Sequence, residues 1–369
     1  MNPQEQFCHN EACHASGQVG LGNITVHSQK ERRYRCNCCG KTFSERKGTA
    51  LENVKKAADL FVLVVTLLSY GCPVQAIVAA FGLDERTARS WLLKAGKHSE
   101  AVHEHLVGGS QLDLEQVQAD EIKGKSQGGS CWLAMAMMVP TRLWLGGAIS
   151  PHRDKTLIRR LVTQVRRVAL CRPILLAVDG LASYVSVFQE AFRTPLRLGE
   201  PGRPKLIAWP NINIVQVVKK RSHGLLDIQR RIVQGSCQQV TQLLRQSQGG
   251  GVINTAYIER LNATFRQRIH ALARRTRSLA RTEQTLHASM FLLGCVYNFC
   301  TEHDSLRLPL LVGSRAHVHW VHRTPAMAAG LSDHCWSVAE LLLFKVPVAF
   351  RPPKRLGRPP KLSCSCGLL

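Results

Sequence analysis

The run Ile174-Leu175-Leu176-Ala177-Val178, closed by Asp179 and Gly180, constrains the fold of this chain more than any other feature. Consecutive apolar residues leave no face for water, so a strand built from them must be covered on both sides. The neighbouring segments supply the cover. Residues 114–122, 131–139 and 142–149 read as strands, the last two joined by Pro140-Thr141 in a hairpin. Residues 154–170 have helical spacing, with Leu157, Leu161, Val165 and Val168 on one side. A helix at 183–192, a Gly/Pro loop at 195–210, strands at 212–218 and 225–233 and a helix at 236–246 follow. Gly249-Gly250-Gly251 is a hinge before helices at 254–273 and 282–300. Strand, strand, strand, helix, strand, helix, strand, then helices predicts an α/β fold: a mixed sheet with helices packed on it.

Residues 1–50 are rich in Cys, His and Gly, and residues 52–106 are helical in pattern with a break at Gly71-Cys72-Pro73. Gly108-Gly109-Ser110 looks like a linker. The expected division is therefore 1–50, 51–107, 112–304 and a C-terminal extension at 305–369.

Charge narrows the partner. Lys and Arg number 49 against 25 Asp and Glu, a net +24 over 369 residues. That balance excludes most ordinary metabolic enzymes and points to a polyanion, nucleic acid first. A hydrophobic fraction of 45% is too high for a disordered basic tail. The apolar stretch at 60–68 is far short of the roughly 20 residues a bilayer needs, and the N-terminus lacks a signal-peptide pattern. No membrane partner is expected.

Five of the 14 cysteines fall in the first forty residues. Cys8-x4-Cys13 and Cys36-x2-Cys39 can each clamp one side of a tetrahedral zinc, and so short a segment needs a staple of this kind to fold. Cys38 could replace either neighbour, and His9, His14 and His27 are weaker substitutes. Unpaired surface thiols are the alternative. Arg32, Arg33, Arg35 and Lys41 place positive charge around the cluster, suited to phosphate.

The segments 74–81 and 84–94, joined at Gly82, have the spacing of a helix-turn-helix: Ile77, Phe81, Leu83, Ala88 and Trp91 pack inward. Asp84 caps the second helix. Arg86, Thr87, Arg89 and Ser90 would face outward, as a recognition helix requires. An ordinary helical hairpin is the competing reading, and Val78, where a smaller residue is usual, weakens the match.

Acids are scarce, so their positions matter. Asp120 lies in VQADEIKGK, Asp179 ends ILLAV, and Glu259 opens a helix whose buried stripe is Ile258, Leu261, Phe265, Ile269 and Leu272. Seven Arg lie between 260 and 281. Singly, these acids could pair with Lys123, cap a helix or favour a helix start. Together, hard oxygens from two strands and a helix can converge on two magnesium ions and serve an in-line phosphoryl transfer. Glu121 would point to the opposite face and support the site. Asn262 and Arg266 follow Glu259 on nearly its face, either contacting the substrate backbone or lying on solvated surface.

On YRCNCCGKTF, VQADEIKGK, TRLWLGGAIS, LAVDGLASY, GGGVINTAYIERLNATFRQRI and FLLGCVYNFCTEHDSLR, the chain resembles insertion-sequence DDE transposases. It is most similar to the branch with an N-terminal zinc ribbon and helix-turn-helix, that of the transposase of the first-described bacterial insertion sequence. The resemblance implies a ribonuclease H-like catalytic core at 112–304 behind a zinc ribbon and an all-α helix-turn-helix domain. It implies Asp120, Asp179 and Glu259 as catalytic ligands of two Mg2+ or Mn2+ ions, and Cys8, Cys13, Cys36 and Cys39 as zinc ligands. The first cysteine pair departs from the simpler Cys-x2-Cys pattern. The implied activity is cleavage at element ends and strand transfer into target DNA, by a self-associating protein in a bacterial or archaeal cytoplasm, on the nucleoid. A DNA-binding regulator, an inactive remnant or a nuclease that never joins strands are the rivals.

Residues 345–361 contain six Lys or Arg and no acid. Gly357-Arg358-Pro359, beside Lys354, Arg355 and Lys361, resembles an AT-hook. Arg355 and Arg358 would then enter a narrow minor groove. A generic basic, Pro-rich tail is the plainer alternative.

Overall fold

The apolar run at 174–178 does form a strand buried on both faces, at the centre of a six-stranded sheet. The computed structural model describes residues 1–197, 202–222, 225–247, 250–276, 278–312 and 317–351. They fall into two compact units, Met1–Gly48 with 345–351, and Thr49–Phe344.

The first unit holds strands β1 (Ile24–Ser28), β2 (Arg33–Cys36) and β3 (Thr42–Ser44), antiparallel and in that order. Its core is small: Ile24, Tyr34 and Phe43 packed among cysteines. The segment after 344, expected to belong to a separate extension, closes on this unit. Ser16 Oγ donates to the Val348 carbonyl at 3.0 Å, and the Arg351 N–H donates to the Glu11 carbonyl at 2.8 Å. With so few apolar side chains to bury, main-chain bonds of this kind carry a large share of the order.

The second unit begins with helices α1 (Ala58–Ser69), α2 (Val74–Phe81) and α3 (Glu85–Leu106). Gly82, at φ 58°, takes the left-handed turn between α2 and α3, and Asp84 accepts the Arg86 N–H at 2.7 Å. Helix α3 continues twelve residues past the expected end at Lys94, because Ala95, Ser99 and Val102 extend the buried stripe of Ala88 and Trp91. That stripe packs on α8 (Glu283–Phe299). A Cβ at Gly96 would overlap the Ala288 backbone, so glycine sets the closeness of the two helices.

The sheet comprises β4 (Gln116–Ser126), β5 (Gly129–Met138), β6 (Trp144–Ser150), β7 (Ile174–Asp179), β10 (Ile212–Ser222) and β11 (Leu225–Gln234). Their order is β11-β10-β7-β4-β5-β6. Strands β4, β5 and β6 form an antiparallel meander, β7 and β10 run parallel to β4, and β11 returns antiparallel. Helices α4 (Lys155–Val168) and α5 (Ala182–Ala191) pair on one face. Helices α6 (Cys237–Gln246), α7 (Ala256–Arg268) and α8 cover the other. Asn298 of α8 bonds both the N–H and the carbonyl of Trp144 at 2.9 Å, fixing that layer to β6.

Two expectations are corrected, and the region after 305 acquires elements. The loop at 195–210 contains a hairpin, β8 (Arg193–Leu196) paired with β9 (Lys205–Ala208). Helix α7 stops at Arg268, and the His270–Leu272 turn carries the stripe to Leu272. The region after 305 forms a second hairpin, β12 (Leu308–Val312) and β13 (His317–Val321), then short helices α9 (Pro325–Ala328) and α10 (Val338–Leu343). Residues 51–107, 112–304 and 305–344 lie in one compact unit. Among the described residues no helix is long and apolar enough to cross a membrane.

Candidate functional site

Two clusters of ligand-type side chains stand out, one in each unit. In the first, the Sγ atoms of Cys8, Cys13, Cys36 and Cys39 all lie within 4.8 Å of one another. Cys8 and Cys39 are 3.6 Å apart. That is too long for a disulfide, about 2.05 Å, and close to the roughly 3.8 Å between sulfurs on a tetrahedral ion with bonds of about 2.3 Å. Cys38 is exposed and outside the group, so the choice among 36, 38 and 39 falls on 36 and 39. None of His9, His14 and His27 is in the group. Burial pushes the Cys8 and Cys13 thiols up. Burial also works against a Cys39 thiolate, yet the Lys41 N–H and neighbouring donors bring it down to about 7. Four soft donors in one buried knot can hold a tetrahedral metal. Of the surrounding cations, Arg32 pairs with Glu45 at 2.6 Å, Arg33 donates to Thr42 at 2.7 Å, Lys41 donates to Asn10 at 3.2 Å, and Arg35 is exposed.

The second cluster sits where the sheet divides. Strands β4 and β7 pair in parallel as far as Ala119 and Val178, so Asp120 and Asp179 fall just beyond the last pair, on one face. Chain connections leave β4 and β7 in opposite directions across the sheet, which opens a crevice at their carboxyl ends. Oxygens of Asp120, Glu121 and Asp179 lie within 4.8 Å of one another. Glu259 is not in that tight group but lines the same cleft of about 480 Å³, with Asp120, Arg153, Asp179, Lys219 and Thr255.

The sequence places Glu259 there through Gln118, two residues before Asp120. The Thr255 side chain makes no cap bond; Asn254 Oδ1 takes the Ala256 N–H, and the next two N–H groups of α7 need other acceptors. Gln118 Oε1, reaching up from β4, accepts the Tyr257 and Ile258 N–H groups at 3.0 Å each, and Nε2 donates to the Asn254 carbonyl at 2.8 Å. The sheet itself thus caps the helix that carries Glu259.

Each acid is held by one oxygen at least. Asp120 accepts the Glu121 N–H at 2.8 Å on Oδ1 and Asn262 Nδ2 at 2.8 Å on Oδ2. Asp179 accepts the Leu181 N–H at 2.9 Å on Oδ1 and Arg153 Nη2 at 2.8 Å on Oδ2. Glu259 Oε1 accepts the Thr255 hydroxyl at 2.7 Å and pairs with Lys219. Asn262, for which solvated surface was one reading, is buried and positions Asp120. Arg266 is half-buried and near enough for the Asp120 and Glu259 charges to act on it.

Electrostatics set the acids apart. Burial, aided by the charges of Glu121, Asp179 and Glu259, pushes the Asp120 carboxyl up to about 7. Burial and the Asp179 charge raise Glu121 as well. Burial works against Glu259 too, but Lys219 and Thr255 outweigh it and hold that carboxyl below its ordinary value. One buried acceptor beside Asp120, Asn262 Oδ1, has no donor among the described residues. Clustered hard oxygens, mutual repulsion and an unmet acceptor together suit a divalent cation.

Glu121 does point away from the Asp120 face, toward the buried Tyr184 of α5, yet its carboxylate returns to the crevice edge. Sequence reasoning missed Gln118, Arg153 and Lys219. For Gln118 a signal existed: a glutamine inside an apolar strand, in register with Asp120. On α3, Arg86 and Ser90 are exposed, Thr87 is half-buried, and Arg89 is paired with Glu85 at 2.5 Å. Arg355 and Arg358 lie outside the described residues.

No protein-family model matches the chain, and no curated protein matches it.

Proposed function

We propose that the chain is a DNA transposase of the DDE type, with a ribonuclease H-like sheet and an N-terminal zinc ribbon, acting by metal-dependent phosphoryl transfer on DNA. The observation that carries this reading is the convergence of Asp120 and Asp179 at the split of the sheet, with Glu259 brought to the same cleft by α7. The strand order, with β4 joining the meander to the parallel strands β7 and β10, supports the fold assignment. The net charge of +24 supports a polyanionic substrate.

Asp120, Asp179 and Glu259 would hold two magnesium or manganese ions, with Glu121 near enough to contribute. Such ions, when bound, stabilise the attacking and leaving oxygens of an in-line displacement. The chain's own residues do the rest. Gln118 and Asn262 fix α7 and Asp120 relative to one another, and Arg153, Lys219 and Arg266 offset the repulsion between DNA and the acidic crevice. Cys8, Cys13, Cys36 and Cys39 would hold structural zinc. Arg86 and Ser90, exposed on α3 with Thr87 beside them, would meet base edges, and the tail at Arg355 and Arg358 would add phosphate or minor-groove contacts.

The test is a strand-transfer assay with a labelled element-end fragment, target duplex and Mg2+ or Mn2+. Cleavage followed by joining to target is the expected result. Cleavage without joining would make the protein a nuclease, and end binding without cleavage a DNA-binding regulator.

A further inference from the structure

Arg153 lies between β6 and α4, directly before Asp154, the residue that caps α4. Its Nη2 is 2.8 Å from Glu121 Oε2 and 2.8 Å from Asp179 Oδ2, so a single nitrogen sits between two members of the three-acid group. The Glu121 side chain is 0% exposed, and a carboxylate that deep needs a charge beside it. Asp179 Oδ1 is taken by the Leu181 N–H, which leaves Oδ2 to Arg153. Across the cleft, Lys219 meets Glu259 in the same way.

We propose that Arg153 is an internal counter-ion to Asp179 and Glu121, and that it trades these carboxylates for a DNA phosphate as a divalent ion enters, making metal and DNA binding cooperative. The inference rests on the two-metal reading of the cleft. A guanidinium and a divalent ion compete for the charge of Asp179 Oδ2, so a cation entering there weakens the hold on Arg153. The displaced side chain, 34% exposed and lining the cleft, faces the region where a phosphate would approach. A planar guanidinium is well matched to phosphate oxygens. The divalent charge takes over the compensation of Glu121. DNA therefore gives Arg153 an alternative partner and lowers the cost of metal entry, and by linkage metal improves DNA binding by the same factor.

The experiment is calorimetric titration of Mn2+ into the full-length protein, with and without a short phosphorothioate duplex that resists cleavage. Wild type, Arg153→Gln, Arg153→Lys and Asp179→Asn are compared, each checked by thermal unfolding. The duplex should tighten Mn2+ binding to wild type about tenfold, a typical coupling. Arg153→Gln should bind Mn2+ about tenfold more tightly than wild type without duplex and gain less than about twofold from it. Arg153→Lys, a point charge on a shorter reach, should fall between, and it carries the test if the glutamine variant unfolds early. Unchanged or weaker Mn2+ binding by both variants, or full retention of the duplex effect, would overturn the proposal. If neither wild type nor variants show a Mn2+ site that Asp179→Asn removes, the two-metal reading falls and this proposal with it. An Asp179-dependent site indifferent to Arg153 removes the counter-ion role alone.

Discussion

The four thiols of the first unit and the acids of the second use opposite means to assemble ligands. Three of the thiols are buried and the fourth half-buried, and the sulfurs face one another. The acids line an open cleft, and Arg153 and Lys219 already occupy part of their coordination. A closed soft site has no position left for a substrate, whereas an open hard site with displaceable partners does. The difference also tells which cluster supports its surroundings. The thiol knot is half of the core of a three-stranded unit, while the acids sit on a sheet that has its own core.

The largest expected effect separates the clusters on that ground. Cys36→Ser, or a strong chelator, should release zinc and unfold residues 1–48, since the folding of small metal-stapled units rests on roughly 10–16 kcal/mol of metal binding. Limited proteolysis and metal analysis would follow it. Residues 49–344 should keep their melting transition. Purified protein without zinc, yet with an ordered first unit, would break the comparison.

Next in size come the acids. Asp120→Asn, Asp179→Asn and Glu259→Gln should each lower cleavage on the order of 10³-fold or more, with the triple variant little worse, because they act as a unit. End binding should persist. Glu121→Gln sharpens the point: it faces α5 and should cost far less. Equal losses at 120 and 121 would mean that the tight three-acid group, rather than the triad with Glu259, is the working set.

A smaller loss is expected one shell out. Asn262→Ala removes the donor at 2.8 Å from Asp120, and substitutions of this kind cost about 10–100-fold in metal affinity or activity. Asn262→Asp should be worse than alanine, since it adds a charge to an already repulsive site. Metal titration with cleavage rates distinguishes them from a folding defect.

What the sequence disclosed follows from how local each signal is. The strand at 174–178 ending in Asp179, the stripe that orients α7 and the two cysteine pairs are contiguous or periodic patterns, and the structure places all of them as expected. The hairpin β8–β9 was illegible because its residues are exposed, with no alternation to mark a buried face. The length of α3 depends on α8, nearly two hundred residues away. Arg153 and Lys219 were lost among 49 basic residues, since nothing local separates a cation aimed at a carboxylate from one aimed at water.

The smallest effect concerns protonation, and it distinguishes a strained acidic site from a relaxed one. In the fold Asp120 keeps its proton up to about pH 7, against an ordinary carboxyl value of 3.8. Between those values the folded protein binds more protons than the unfolded chain, so the Asp120 contribution to stability is present at low pH and is lost as pH rises toward 7. Asp120→Asn cannot lose a proton and should escape that loss. Without added divalent metal, the melting temperature of the second unit in the variant, relative to wild type, should rise by about 1–3 °C between pH 4.5 and pH 8. Adding Mg2+ at pH 8 should stabilise wild type and shrink the difference, because a divalent ion relieves the same repulsion. A difference independent of pH would show that the Asp120 carboxylate is already relaxed in the metal-free fold, and that Asn262 and the Glu121 N–H suffice to hold it.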